Sequence, residues 1–227
     1  MIHPAPYAPF SLSLTDSTRL KGVALLLLLW HHLFYMGGTQ YTEWHVAGIP
    51  VIQQTGLAAK VCVALFVLLS GYGLAVQATH KPMGYGMFLR KRLKKLFINY
   101  WVMWLLFVPI GFLFFGWTLQ GIYGNHAVAK LLVNFFGLQK VFGYYGLNPT
   151  WWFYSLIILL YLLFPLLYRL AASRRGALGL WVFSGIYMVA PFVPDVAALK
   201  VYLVCFITGV VWARHFSGLM VENITPP

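Results

Sequence analysis

The chain has 227 residues, of which 61% are hydrophobic, 18% aromatic and only 9% charged, with a mean hydropathy of +0.77. That balance excludes an ordinary soluble domain, and apolar runs of the ~18 to 20 residues needed to cross a hydrocarbon core point to an all-α, polytopic transmembrane bundle. Sixteen Lys and Arg against four Asp and Glu give a net charge of +12, which in so apolar a chain reflects basic residues gathered at cytoplasmic helix ends rather than a nucleic-acid partner.

The tail MIHPAPYAPFSLSLTDST, residues 1–18, lacks the basic start, apolar core and cleavage site of a signal peptide. It is expected to remain as a cytoplasmic tail ahead of a first span at about residues 20–37. In LKGVALLLLLWHHLF, Lys21 and His32 are eleven positions apart. At about 100° per residue they share one helical stripe to within roughly 20° and lie about 16 Å apart along the axis; His31 is displaced by about 80°. Charge at that depth is unfavourable, so ionisable residues there ordinarily face a bundle interior or a water-filled path and mark functional sites. His32 is the candidate, and His31 is expected to hydrogen-bond a neighbouring helix as structural glue. Adjacent helix positions diverge, and the span has no His-x3-His pair or acidic co-ligand, so no metal site is expected.

The second span, at about 58–78, contains Cys62 and the small pair Ser70-Gly71, read as a site of close helix packing. Cys62 and Cys205 both lie in apolar runs and behave as small hydrophobes that need not pair. FLRKRLKKLFINYW, residues 88–101, is read as a basic cytoplasmic loop entering a third span at about 97–117. In the long external segment 118–149, AVAKLLVNFFGLQ has helical apolar spacing but is too short to cross, which predicts an interfacial or re-entrant helix. Further spans at about 150–169, 177–193 and 198–213 complete about six, in a single membrane-embedded domain over residues 1–227.

With the N-terminus inside, the cytoplasmic side receives Arg19, Lys21, Lys81, Arg90, Lys91, Arg92, Lys94, Lys95, Arg169, Arg174, Arg175 and Arg214. The other side receives only Lys60, Lys130, Lys140 and Lys200, so both termini are expected in the cytoplasm. Trp44, Trp101, Trp117, Trp151 and Trp152 fall near predicted interfaces, where indoles anchor. Asn223-Ile224-Thr225 is a glycosylation sequon by pattern, on a tail that would not meet the glycosylation machinery.

Four segments, in order, resemble the acyltransferase family 3 membrane proteins, which modify bacterial surface glycans and lipids. LKGVALLLLLWHHLF resembles that family's first helix with its basic-x10-His motif, here Lys21 and His32. VALFVLLSGYGLA resembles the Phe-rich second helix ending in Ser70-Gly71. FLRKRLKKLFINYW resembles the basic entry to the third, with Arg92 and Lys95 at the Arg-x-x-Arg positions and Asn99 where proline is common. NPTWWFYSLIILLYLLFPLLY resembles another helix through Trp152, Tyr161 and Pro165, with Ile157 and Ile158 where many members carry glutamate. The match covers about residues 18–214. The family ordinarily has more membrane helices than this chain, so a short or truncated member is expected.

The resemblance implies transfer of an acyl group, most often acetyl from cytoplasmic acetyl-CoA, to a hydroxyl of a carbohydrate or lipid-linked glycan across the bacterial inner membrane. Such a reaction needs a base, and imidazole, which titrates near neutral pH, makes His32 the candidate. It also needs cations for the CoA phosphates, for which Lys21, Arg90, Arg92 and Lys95 are the candidates. The plainer explanation of these residues is ordinary juxtamembrane charge that also attracts anionic lipid. Trp152 and Tyr161 are candidates to line the acceptor path. Two alternatives stand beside this reading: a catalytically inactive fragment or partner subunit, and a small proton-coupled transporter with His32 as relay.

Overall fold

The computed structural model describes residues 11–36 and 40–216. The first ten residues and the Asn223 sequon lie outside the described residues. Helix α1 (Leu14–His31) opens on a capping box, with Ser13 Oγ accepting the Asp16 N–H at 3.0 Å and Asp16 accepting the Ser13 N–H at 3.3 Å. It passes directly into a π-helical turn, His32–Met36. A short hairpin pairs β1 (His45–Val46) with β2 (Ile49–Pro50), turning through Gly48 at φ +78°. It delivers the chain to α2 (Val51–Ala58) and α3 (Val61–His80).

Helix α4 (Tyr85–Phe114) begins twelve residues before the expected third span, at residue 85 rather than 97. The basic run read as a loop is its first turns. Leu, Met, Arg and Lys are strong helix formers, and no proline interrupts them before Pro109. Charge ends the apolar part of this segment without ending the helix. The 118–149 segment folds as α5 (Leu119–Tyr123) and α6 (Ala127–Phe135). At nine residues α6 is about 14 Å long, too short to cross. Val128, Leu132 and Phe136 form an exposed apolar stripe at its surface while Asn134 is buried. A 3-10 turn (Pro149–Trp151) leads into α7 (Trp152–Leu170), followed by α8 (Arg174–Val189) and α9 (Leu199–His215).

Among the described residues, four helical stretches are long and apolar enough to cross a membrane: Val51–His80, Tyr85–Phe114, Pro149–Leu170 and Val196–His215. Helices α1 and α8 stand where two further spans were expected, but with less apolar length. The first half of α1 carries Asp16, Arg19 and Lys21. The 16 residues of α8 span about 24 Å and begin with two arginines.

The chain divides into two compact units. In the first (Met1–Lys81, Leu170–Val182 and Val204–Pro227), α1 packs on α3, and α3 crosses α9. A Cβ on Gly71 would collide with the Phe206 carbonyl oxygen, and one on Gly209 with the Leu68 carbonyl oxygen. The two backbones therefore touch at reciprocal glycines, the close approach on which membrane helices rely for packing. Of the Ser70-Gly71 pair, Gly71 makes this contact.

The second unit (Pro82–Arg169 and Phe183–Leu203) has an aromatic core. Tyr100, Val108, Tyr123, Leu147 and Trp151 are buried together against Trp104, Trp117 and Tyr154. The Tyr100 hydroxyl donates to the Asn134 carbonyl at 2.5 Å, and the Trp101 and Trp104 indoles donate to the Phe135 carbonyl and Asn134 Oδ1, each at 2.9 Å. These bonds tie α4 to the end of α6. Trp101 and Trp151, expected as interfacial anchors, serve in internal packing. Three lysines of the expected outer side find partners here: Lys130 donates to the Tyr123 carbonyl at 2.7 Å, Lys140 lies 4.0 Å from the Tyr145 ring centroid, and Lys200 donates to the Ala190 carbonyl.

Candidate active site

The first unit holds the two histidines. His31 is 6% exposed, and its Nδ1 lies 2.8 Å from the Gly56 carbonyl oxygen on α2. A carbonyl only accepts, so Nδ1 carries the proton and the tautomer is set. The ring stacks on Tyr35, with centroids 5.3 Å apart and planes 20° apart. One residue earlier, the Trp30 indole donates to Thr55 Oγ1 at 3.3 Å. A Cβ on Gly56 would lie 3.2 Å from backbone atoms of Phe34 and Tyr35, so the π turn rests directly on α2.

The start of α2 is held by Glu43. Its carboxylate accepts the N–H groups of Ile52 at 2.7 Å and of Trp44 and Gln53 at 3.0 Å each. An anion at a helix N-terminus satisfies donors that the helix itself leaves open and complements its dipole.

His32 is the first residue of the π turn, a rare element found frequently at functional sites. Its ring meets His31 edge to face, centroids 5.6 Å apart and planes 73° apart. No hydrogen bond engages either His32 ring nitrogen among the described residues. The buried positions of α1 are Ala24 and His31. The packed face of the helix therefore centres on His31, and the stripe carrying exposed Lys21 and partly exposed His32 borders it. It is His31 that the structure buries and joins to a neighbouring helix. Among the described residues, no group of three or more His, Cys, Asp or Glu is placed to hold a metal ion.

The second unit holds Arg90, Arg92, Lys95, Trp152 and Tyr161. On α4, the Phe88 ring meets Tyr161 at 6.5 Å and Phe164 at 5.1 Å, and Arg92, one turn further on, acts electrostatically on the Tyr161 hydroxyl. Lys95 follows at about 60° around the helix and is exposed, whereas Arg90 lies about 160° from Arg92 and is also exposed. Arg92 thus lies on the side of α4 where Phe88 meets Tyr161, and Arg90 on the far side. Trp152 stacks on Tyr202, with centroids 5.8 Å apart. Ile157 and Ile158 are buried, so an apolar wall stands where the resemblance would place a carboxylate.

Sequence reasoning missed Glu43 and Gly56. Glu43 had one available signal: it is among only four acidic residues in the chain. Gly56 had none, because its role is a contact with a distant turn. It also missed Asn134 and Gln139, both buried in the second unit, because neither carries a charge or a motif.

Compared with known protein families, residues 17–222 match the acyltransferase family 3 domain, described as an acyltransferase domain. No curated protein and no solved structure matches the chain significantly.

Proposed function

The chain belongs to acyltransferase family 3 and is a membrane acyltransferase, and from that premise we propose that it transfers an acyl group, acetyl above all, from cytoplasmic acyl-CoA to a hydroxyl of a carbohydrate or lipid-linked glycan across the bacterial inner membrane. His32 acts as the general base. It accepts the proton of the acceptor hydroxyl as that oxygen bonds to the thioester carbonyl carbon. The C–S bond then breaks, and His32 returns the proton to the departing thiolate.

The observation that supports this reading most is the placing of His32. It opens a π turn on the stripe of Lys21, with both ring nitrogens free of hydrogen bonds among the described residues. The exposed Arg90 and Lys95 and the partly buried Arg92 suit phosphate, Arg through its planar fork and Lys as a point charge. We assign Lys21 the same chemistry on the His32 stripe, and Trp152 and Tyr161 to the acceptor path.

The test is the His32→Ala variant in the full chain. It is expected to insert and fold normally and to lose acyl transfer by at least about 100-fold, the lower range of a general base's contribution. Full activity in that variant removes His32 from the mechanism. Buried Ile157 and Ile158 favour a second reading, an inactive relative acting as a partner subunit. Acyl-CoA-dependent labelling of a glycan by the purified chain excludes it.

A further inference from the structure

A base on an enzyme is ordinarily held in orientation by a second group. His32 has no such group in hydrogen-bonding contact among the described residues; the contact its ring makes there is with His31. His31, in turn, is held on two sides. Its Nδ1–H donates to the Gly56 carbonyl, and its face stacks on Tyr35. We propose that His31 is the positioning residue for His32, transmitting to it the fixed location of α2. This rests on the reading of His32 as base.

The geometry carries the argument. His31 is the last α-helical residue and His32 the first of the π turn. The bond to Gly56 pins the backbone just before the change of helix type. The close approach of Gly56 to Phe34 and Tyr35 pins it just after. Between those two points the His32 backbone has little freedom, and its ring leans edge-on against an imidazole that cannot rotate without losing its hydrogen bond. The Trp30–Thr55 bond and the Glu43 contacts hold α2 itself in register. A purely structural His31 would matter for stability; a positioning His31 matters for how fast His32 reacts.

The experiment uses the full chain with His31→Asn, His31→Gln and His31→Phe. Asn places an amide donor near the Nδ1 position, Gln places it near Nε2, and Phe keeps the ring without a donor. All three are checked for folding by thermal unfolding. The first probe is diethyl pyrocarbonate, with carbethoxylation of His32 followed by mass spectrometry. The rate is expected to shift in the Phe and Gln variants and to match the wild type in Asn.

The second measurement is acetyl-CoA-dependent transfer in native membranes. Turnover is expected to fall about 100-fold in Phe and Gln with KM for acetyl-CoA unchanged, the loss that about 1 Å of misplacement produces. Asn is expected to restore it. Equal His32 labelling rates in all variants, or an Asn variant as slow as Phe, overturns the proposal. Failure of the base reading shows separately, as full turnover in His32→Ala, because the labelling comparison requires no turnover.

Discussion

Glu43 shows what one side chain does in a chain this poor in acids. Burial pushes its carboxyl up, but the N–H groups of Ile52, Gln53 and Trp44 outweigh that and hold its pKa below the ordinary carboxylate value. Its folded pKa is therefore lower than its unfolded one. The stability it contributes is complete above the unfolded value, about 4.3, and is lost as pH falls through the folded value. Glu43→Ala is expected to speed amide exchange at Ile52 and Gln53 at neutral pH. In the wild type the same two amides are expected to lose protection selectively on acidification, which hydrogen-exchange mass spectrometry can follow. Asp16 behaves alike: the Ser13 hydroxyl and N–H lower its pKa, with Arg19 contributing less. The first turn of α1 is thus a second acid-sensitive point. The stripe shared by Lys21 and His32 was legible from spacing alone. So was the bond of His31 to a neighbouring helix; that the neighbour is α2, and that His31 rather than His32 is the buried ring, was not, because it depends on where α2 lies, and α2 is placed by Glu43 from eight positions upstream of its first residue.

At the scale of elements, helix positions were readable from apolar runs, while their ends and depths were not. The clearest case is α4, whose basic opening has the propensity of a helix and the charge of a loop. Lys94→Pro separates the two readings: inside a helix it is expected to cost about 3 kcal/mol, and in a loop almost nothing. Denaturant unfolding in detergent measures it. The crossing of α3 and α9 makes a second demand. Gly209→Ala must push a methyl group against the Leu68 carbonyl, and overpacking of this kind is expected to destabilise by about 1 to 3 kcal/mol. Gly185, also helical but with open space for 4 Å around the position a Cβ would take, is the control: Gly185→Ala is expected to be neutral or mildly stabilising. Both glycines look alike in the sequence. Only the meeting of two segments more than a hundred residues apart distinguishes them.

For the whole molecule, the two ends of the expected topology treat their cations differently. Of the four lysines expected outside, Lys130, Lys140 and Lys200 sit against carbonyl oxygens or tyrosine rings and Lys60 is exposed, whereas of the expected cytoplasmic group Arg90, Lys91, Lys94, Lys95, Arg174 and Arg175 are exposed and Arg92 is partly buried. The proposed orientation places the exposed group in the cytoplasm. In inverted and right-side-out vesicles, a cysteine replacing Lys91 is expected to react with an impermeant maleimide only from the cytoplasmic face, and one replacing Phe142, an exposed residue of the 118–149 segment, only from the other. Labelling of both from one side refutes that arrangement. The family was legible because its motifs are local strings, each within one helix or its approach. The supports of the site were not, since Gly56, Tyr35 and Glu43 belong to three different segments and meet only in the folded chain.

A π turn bonds i to i+5 where an α turn bonds i to i+4, so it is geometrically an α turn with one extra residue. The stretch His32–Met36 therefore behaves as an insertion absorbed within a single turn. Removing one residue there, such as Leu33, would let the segment relax to regular helix while the residues after the turn keep nearly the same register, their bonds running four positions back instead of five. His31 would keep its carbonyl partner, while Tyr35 would follow it by three positions instead of the four at which the rings now stack. In this helix, length is as much a chemical variable as side-chain identity.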